Sequence, residues 1–564
     1  MIAKRRLVLS LALSAALLVV ATIAHASDPS PAEVDAIFAD YDNTTSPGCS
    51  LGVVRDGELI YKRGYGMANL EYGIALSPAS VFRTASVGKQ FTAMAVAILD
   101  EQDAISLDDP LSQLFPEFPG WADEVTLRQL VHHTSGIRDY LTLAWLAGMG
   151  DEAYYTDEYA LDLLARQTSL NFTPGEEHLY SNSGYLLLAH AVKRATGKSL
   201  REWAAENMFG PLGMDHSHFH DDHTHIVPAR ADGYAPTEDG FRISMTILDM
   251  VGDGGVYTTV EDFLLWDRNF YDNKLGKGGP QLIEKVTTPG LLNHEGPMTY
   301  AFGLDVADYR GLPIVAHSGG FVGFRTDTIR FPEQKFSVVV YCNRADADPP
   351  ARSRQVADLY LADLMEPDMT GASTSPKNGG QAEFSTARLQ ALTGHYWNEN
   401  RRAAWDVEGE EEKLVLIISD EDRFEMIPMA DGRFAIQGPW LTAEAKFEAL
   451  GEDGQRMSIL IEGADEPRIF EKYVPRAPSS QALEAYAGTF YSKELGVPYA
   501  LDVQDGSLGF RIVRLERHPL EPLFDEIFSS DEYGTFEFQR GADGVVEGFA
   551  LDAGRVRNLQ FDRQ

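Results

Sequence analysis

Residues 86–99 read Ser-Val-Gly-Lys-Gln-Phe-Thr-Ala-Met-Ala-Val-Ala-Ile-Leu. Phe91, Met94, Ala95, Ile98 and Leu99 recur at helical spacing, so a turn here leads into an apolar helix. Ser86 and Lys89 stand three residues apart at its start, where i and i+3 share a face and their side chains can meet. A serine hydroxyl is a weak nucleophile and needs a neighbouring base. A lysine that is partly removed from water has a depressed pKa and can be that base. The helix N-terminus favours negative charge developing beside it. The S-x-x-K spacing alone recurs by chance in long chains, so its meaning depends on what else the chain carries.

Two other short stretches complement it. Tyr180-Ser181-Asn182 follows the turn signal Pro174-Gly175 and precedes a helix over Tyr185–Val192 that Gly197 can end. A phenol there can relay protons, and an asparagine amide can hold a substrate amide. The plainer role for Ser181 or Asn182 is that of helix N-cap. His317-Ser318-Gly319-Gly320 closes the strand-like run Pro313–Ala316. Glycines there let a substrate backbone lie against the strand. A backbone N–H of this segment, that of Gly320, can join the N–H of Ser86 as an oxyanion hole.

Outward from these motifs, residues 28–365 mix strands and helices. Leu51–Val54 and Leu59–Tyr61 flank Asp56-Gly57, a hairpin signal. Near the other end come strand-like runs Thr326–Phe331 and Phe336–Tyr341. A helix follows, with Asp348 as N-cap and Pro349 in its first turn. Hairpins at both ends with helices between imply an α/β domain whose sheet joins its N- and C-terminal portions. Residues 366–385 are rich in Gly, Ser, Thr and Pro and read as a linker. The remainder is all-β and repeats: Leu389-x-Ala391-x-x-Gly394-x-Tyr396-Trp397 matches Leu483-x-Ala485-x-x-Gly488-x-Phe490-Tyr491. Two small antiparallel barrels are expected, over 386–475 and 476–564.

The 564 residues exceed what one core can organise, which agrees with three domains. With 48 Lys+Arg against 85 Asp+Glu, the net charge of -37 repels phosphate backbones, and nucleic-acid binding is excluded as a function class. Residues 1–26 read as a signal peptide: Lys4, Arg5 and Arg6, an apolar run to Ile23, then Ala24-His25-Ala26 as the cleavage site. Cleavage after Ala26 predicts a periplasmic or secreted protein without stable membrane insertion. Asp215–His225 holds five His and three Asp, yet no regular ligand spacing stands out and no metal is expected there. His132 and His133 read as turn and core residues. The sequence sets no oligomeric state.

Taken together, Ser86–Lys89, Tyr180–Asn182 and His317–Gly320 resemble, in order and spacing, the serine β-lactamase and penicillin-binding-protein-like hydrolases. Pro47-Gly48, His133-Thr134-Ser135-Gly136, Pro211-Leu212-Gly213-Met214 and Gly254-Gly255 look like the same family. The resemblance spans about residues 40–345. It implies a serine hydrolase acting through an acyl-enzyme on amides or esters, without metal or organic cofactor. Ser86 would be the nucleophile, Lys89 and Tyr180 the proton carriers, and Asn182, His317, Ser318, Gly319 and Gly320 the substrate and oxyanion residues. Many relatives carry Lys-Thr-Gly where this chain has His317-Ser318-Gly319. His at that position and two trailing barrels are similar to D-aminopeptidases, so a small D-residue peptide or amide is the leading substrate. An esterase, a β-lactamase or D,D-carboxypeptidase, and a non-catalytic binding or sensing module are the alternatives.

The same resemblance implies that the strands bearing Cys49 and Cys342 are neighbours, so a disulfide is expected there, with two buried free thiols as the alternative. It also implies that a loop of the second barrel reaches the active-site mouth. Phe524–Glu532 is the candidate, its carboxylates holding a substrate amine; the plainer reading is a solvated acidic turn.

Overall fold

The computed structural model describes residues 28–564, apart from 151–152, 295, 297, 368–384, 411–412, 419–421, 430, 438–440, 452–453, 462–466, 477 and 513–514. The expected signal peptide, and most of the expected linker, lie outside the described residues.

An antiparallel six-stranded sheet joins the two ends of the first domain. Its order is Asp305–Tyr309, Leu312–Phe321, Phe324–Phe331, Phe336–Cys342, Cys49–Arg55, Glu58–Tyr65. Asp56 and Gly57 link the last two strands with φ of 50° and 76°, the left-handed pair that a two-residue hairpin needs. Along Phe336–Cys342 the side chains alternate between two layers. Val338 and Val340 meet Val356 and Ala357 of the helix Pro349–Leu361. Val339 and Tyr341 face the larger helical layer. Asp348 caps that C-terminal helix by accepting from the Ala351 N–H at 3.0 Å.

The helix Lys89–Glu101 is the axis of the helical layer. The sequence spacing suggested one apolar face, but every residue from Lys89 to Leu99 is buried. Thr92, Ala93, Ala95 and Ala97 are small enough for neighbours to close on all sides. The helix Asn182–Thr196 packs against it and ends at Gly197, whose φ is 74°.

The tail forms two β barrels. Eight strands between Gly394 and Tyr473 close into the first. Nine strands make the second, and its two edge strands, His518–Pro519 and Glu521–Phe524, are separated in sequence only by Leu520. The repeat has a structural basis. Each unit opens with a short helix, Thr386–Leu392 or Ser480–Leu483, followed by a strand whose first residue is Gly394 or Gly488. Both glycines take positive φ, 138° and 153°, which a side chain would resist. Tyr396 and Phe490 then fill equivalent core positions with no exposed surface.

The second barrel shares one apolar cluster with the first domain. Tyr499 donates to the Leu146 carbonyl at 2.7 Å, and Trp145 stacks on Tyr533. At the centre of this contact Arg138 is wholly enclosed. It pairs with Glu494 at 2.8 Å and donates to Gln167, Ser169 and the carbonyls of Arg557 and Asn558.

Cys49 and Cys342 are register partners and are disulfide-bonded, closing a separation of 293 residues. Replacing both with serine should lower unfolding stability by about 2–4 kcal/mol, read from urea midpoints, with no thiols titrating in the denatured wild type. Glu494→Ala leaves the Arg138 charge buried without compensation. It should cost about 3–5 kcal/mol in the same assay; an unchanged midpoint would show that water or another group satisfies the arginine.

Candidate active site

Ser86 lies in a 3₁₀ turn, Ala85–Gly88, that runs directly into the helix starting at Lys89. Ala85 takes φ of 47°, an uncommon conformation for a residue with a side chain. Between Val81 and Gln90 only Ser86 is not buried. The turn therefore presents one hydroxyl outward from an otherwise enclosed segment.

The strand Leu312–Phe321 lies against this turn. It does not end at Ala316, as the sequence suggested; it continues through the His317–Gly320 segment to Phe321. Its pairing with Asp305–Tyr309 stops at Ala316, so residues 317–321 have one edge free of strand pairing. A Cβ on Gly319 would come 2.6 Å from the Thr84 carbonyl oxygen and 2.9 Å from the Ser86 nitrogen. Glycine is required there by the approach of strand to turn, a packing reason that stands beside the substrate role expected from sequence.

Lys89 is completely buried, and its Nζ donates to three oxygens: Ser86 Oγ at 3.2 Å, Asn182 Oδ1 at 2.9 Å and the Asp253 carbonyl at 2.5 Å. An ammonium has three hydrogens, and each has an acceptor. Burial pulls its pKa down to about 8, against the opposing pull of the Asp253 and Asp139 carboxylates. If Lys89 loses a proton, the bonds to Asn182 and Asp253 can remain while the Ser86 hydroxyl turns to donate to Nζ. The geometry thus permits proton transfer from serine to lysine without rearranging the surroundings.

The Tyr180–Asn182 segment is positioned from outside itself. Ser181 occupies the N-cap position but its side chain makes no capping bond. Instead Asp139 Oδ2 accepts from the Asn182 N–H at 2.6 Å, and His133 Nδ1 accepts from the Ser181 N–H at 3.1 Å. His132 holds the Tyr300 carbonyl at 3.1 Å. His132 and His133 are thus the turn and core residues expected, and they position the site. The Tyr180 ring lies 4.8 Å from Lys89 Nζ, and among the described residues its enclosed hydroxyl has no aligned hydrogen-bond partner. Burial raises its pKa, partly offset by the nearby Ser86 hydroxyl, so the phenol keeps its proton at neutral pH.

Both ring nitrogens of His317 have partners within the fold. Nδ1 lies 2.5 Å from the Ser318 carbonyl, which can only accept, so Nδ1 carries the proton. Nε2 then accepts from the Tyr300 hydroxyl at 3.0 Å. Burial and the Lys89 charge lower its pKa to about 4. It is a neutral group with both nitrogens occupied.

Ser86, Tyr180, Asn182 and residues His317–Gly320 line a single cleft of about 500 Å³. Sequence reasoning did not find Arg83, Tyr140, Asp253, Tyr300 and Arg555, which line it too. Asp253 adjoins the Gly254-Gly255 pair already singled out, a usable signal; the others carry none. Phe524–Glu532 is not at this cleft. Phe524 packs on Trp397 and Tyr473 of the first barrel, and Glu526, Asp525 and Glu532 pair with Arg540, Arg476 and His518. Its apolar residues make it the joint between barrels; the turn that reaches the cleft carries Arg555. In the Asp215–His225 segment, His218 contacts His220 at 3.1 Å, and His223 pairs with Asp249. Among the described residues no three His, Cys, Asp or Glu side chains converge as a metal site.

A family model described as Beta-lactamase matches residues 34–362, more than half of the chain. The chain belongs to the beta-lactamase family. This is a family of serine hydrolases, and the matched domain contains Ser86, Lys89, Tyr180, Asn182 and residues 317–320. A D-aminopeptidase of Gluconobacter oxydans is 29% identical over 356 residues, covering 62% of this chain and 66% of that protein. The chain thus spans less than two thirds of that relative's length. Penicillin-binding protein 4* of Bacillus subtilis is 28% identical over 437 residues, covering 74% of this chain and 93% of the relative. The octameric penicillin-binding protein homologue from Pyrococcus abyssi shares the fold, with a TM-score of 0.52 at 22% identity, over 84% of this chain and 95% of that one.

The buried lysine sets a pH signature. Only the neutral amine can take the serine proton, so kcat/KM should rise with pH through about 8, where Lys89 deprotonates. A rate profile with its acid limb near pH 4 would instead implicate His317.

Proposed function

We propose that this protein is an exported serine hydrolase that cleaves small amides or esters through an acyl-enzyme on Ser86, with D-amino-acid peptides or amides as the leading substrates. One observation carries the reading: the fully buried Lys89 amine is hydrogen-bonded to the one open hydroxyl of the nucleophile turn. Neutral Lys89 accepts the Ser86 proton as Oγ attacks the carbonyl. The Ser86 N–H and a strand N–H from Gly320 receive the oxyanion. Tyr180, protonated and adjacent to Lys89, gives its proton to the leaving group and recovers one through the lysine. Asn182 has its Oδ1 committed to Lys89, which leaves its NH₂ to hold the substrate. Water then attacks the acyl-enzyme by the reverse proton route.

The D-aminopeptidase relatives support the substrate class, as does the neutral His317 at the strand edge. Export rests on the sequence of residues 1–26. A non-catalytic module would have no use for a lysine buried against a serine, a costly arrangement for a binding site.

Ser86→Ala should abolish hydrolysis of D-alaninamide and of simple esters, with stability changed by less than about 1–2 kcal/mol. A fluorophosphonate should add its mass to Ser86 in the wild type and not in the variant. Persistence of more than a few per cent of activity in the purified variant would remove Ser86 from the mechanism.

A further inference from the structure

We infer that Arg555, carried on a hairpin turn of the second barrel, is a specificity-determining residue that binds a carboxylate on the leaving-group portion of the substrate. The inference rests on the acyl-enzyme reading above and names the substrate class within it.

Arg555 lies between the strands Val546–Ala553 and Val556–Arg563. Main-chain contacts fix that turn at the cleft. The Arg555 carbonyl accepts from the Asp139 N–H at 3.2 Å and from Asn171 Nδ2 at 2.9 Å. The Arg557 N–H donates to Asn171 Oδ1 at 2.8 Å, and the Arg557 guanidinium pairs with Glu177 at 3.1 Å. Asp139 is also the residue whose carboxylate accepts from the Asn182 N–H. The turn and the Tyr180–Asn182 segment are therefore in fixed register through one residue.

The side chain of Arg555 is exposed, lines the cleft with Ser86, and sets its guanidinium 4.9 Å from the centre of the Tyr180 ring. Among the described residues it has no ion pair and no side-chain hydrogen bond. That is unusual in a chain with 85 acidic against 48 basic residues, where the neighbouring Arg138 and Arg557 each hold a glutamate. The other cations of the site differ from it in burial or in partners. Lys89 is enclosed with all three hydrogens committed, and His317 is neutral with both nitrogens engaged. Arg83 also lines the cleft, but it is buried with its guanidinium over the Phe321 ring, whereas Arg555 is exposed and lies over Tyr180. Of the carboxyls facing the cleft, Asp253 accepts from the Tyr140 hydroxyl, and Asp305 lies beside Ala316.

Tyr180 delivers a proton to the leaving group, so a cation seated over its ring faces that same portion of the substrate. A planar guanidinium with free N–H groups matches a carboxylate in geometry and charge. The barrel therefore favours an anion, the reverse of the amine recognition that its acidic loop suggested in the sequence.

The test uses the full chain and two esters with the same acyl group, 3-acetoxybenzoate and its methyl ester, which differ by one charge on the leaving group. In Arg555→Gln, kcat/KM for the carboxylate should fall about 10- to 100-fold and for the methyl ester less than about twofold. Arg555→Lys should lie between. The substitution leaves the main-chain anchors intact, and an unchanged melting temperature verifies that. An equal fall for both esters would overturn the inference, making Arg555 a modulator of Lys89 or a support of the turn. No change for either would also overturn it. Calorimetric binding of 3-hydroxybenzoate, compared with methyl 3-hydroxybenzoate, measures the same charge preference without catalysis. If fluorophosphonate fails to label Ser86 while charge-selective binding persists, the acyl-enzyme reading fails and the carboxylate site stands.

Discussion

A lysine ammonium removed from water must find three oxygens, and the first domain is arranged to supply them. One comes from the turn that precedes the helix, one from the helix Asn182–Thr196, and one from the loop at Asp253. Each supplier is itself held: the turn by Gly319 and Thr326, the helix start by Asp139 and His133, and the Asp253 side chain by Tyr140. Burial weakens the hold of Lys89 on its proton, and the same burial makes its surroundings intolerant of a missing acceptor. Basicity suited to neutral solution and a rigid site are consequences of one placement.

How far the sequence revealed this follows the range of each interaction. Ser86 and Lys89 are one helical turn apart, so their meeting is a local fact that spacing discloses. The sheet was legible because short apolar runs and an Asp-Gly turn encode buried strands and a hairpin directly. The repeat in the tail was legible because each unit needs the same glycine at its first strand. Tyr300, Tyr140, Arg83 and Arg555 reach the cleft through tertiary contacts, and no pattern around them points to it. The acidic stretch Phe524–Glu532 misled for a related reason. Its charges allow a ligand-facing loop or a solvated acidic turn, whereas Phe524 and Ile527 bury themselves against Trp397 and determine where the loop lies. Side-chain hydrophobicity, not charge, fixed its location.

The second barrel is bound to the first domain through a core shared with it and through one fully enclosed guanidinium. Arg138 and Asp139 are adjacent in sequence, and they do different tasks with the same hairpin turn. Arg138 takes the carbonyls of Arg557 and Asn558, and the Asp139 N–H takes that of Arg555. Since Asp139 also holds the Asn182 helix start, the barrel and the lysine's acceptor are linked by two consecutive residues.

The sheet order also dictates a sequence of events in time. The hairpin Cys49–Tyr65 is among the first parts of the domain to leave the ribosome, yet its inner edge pairs only with Phe336–Cys342. Until that strand exists, Cys49–Arg55 offers an uncovered apolar edge, and nearly the whole helical layer is made in the interval. Contacts this distant in sequence slow folding and leave sticky edges open meanwhile. The domain cannot assemble progressively from its beginning; it must wait for its last strands, and the cystine can seal only what that late pairing has already brought together.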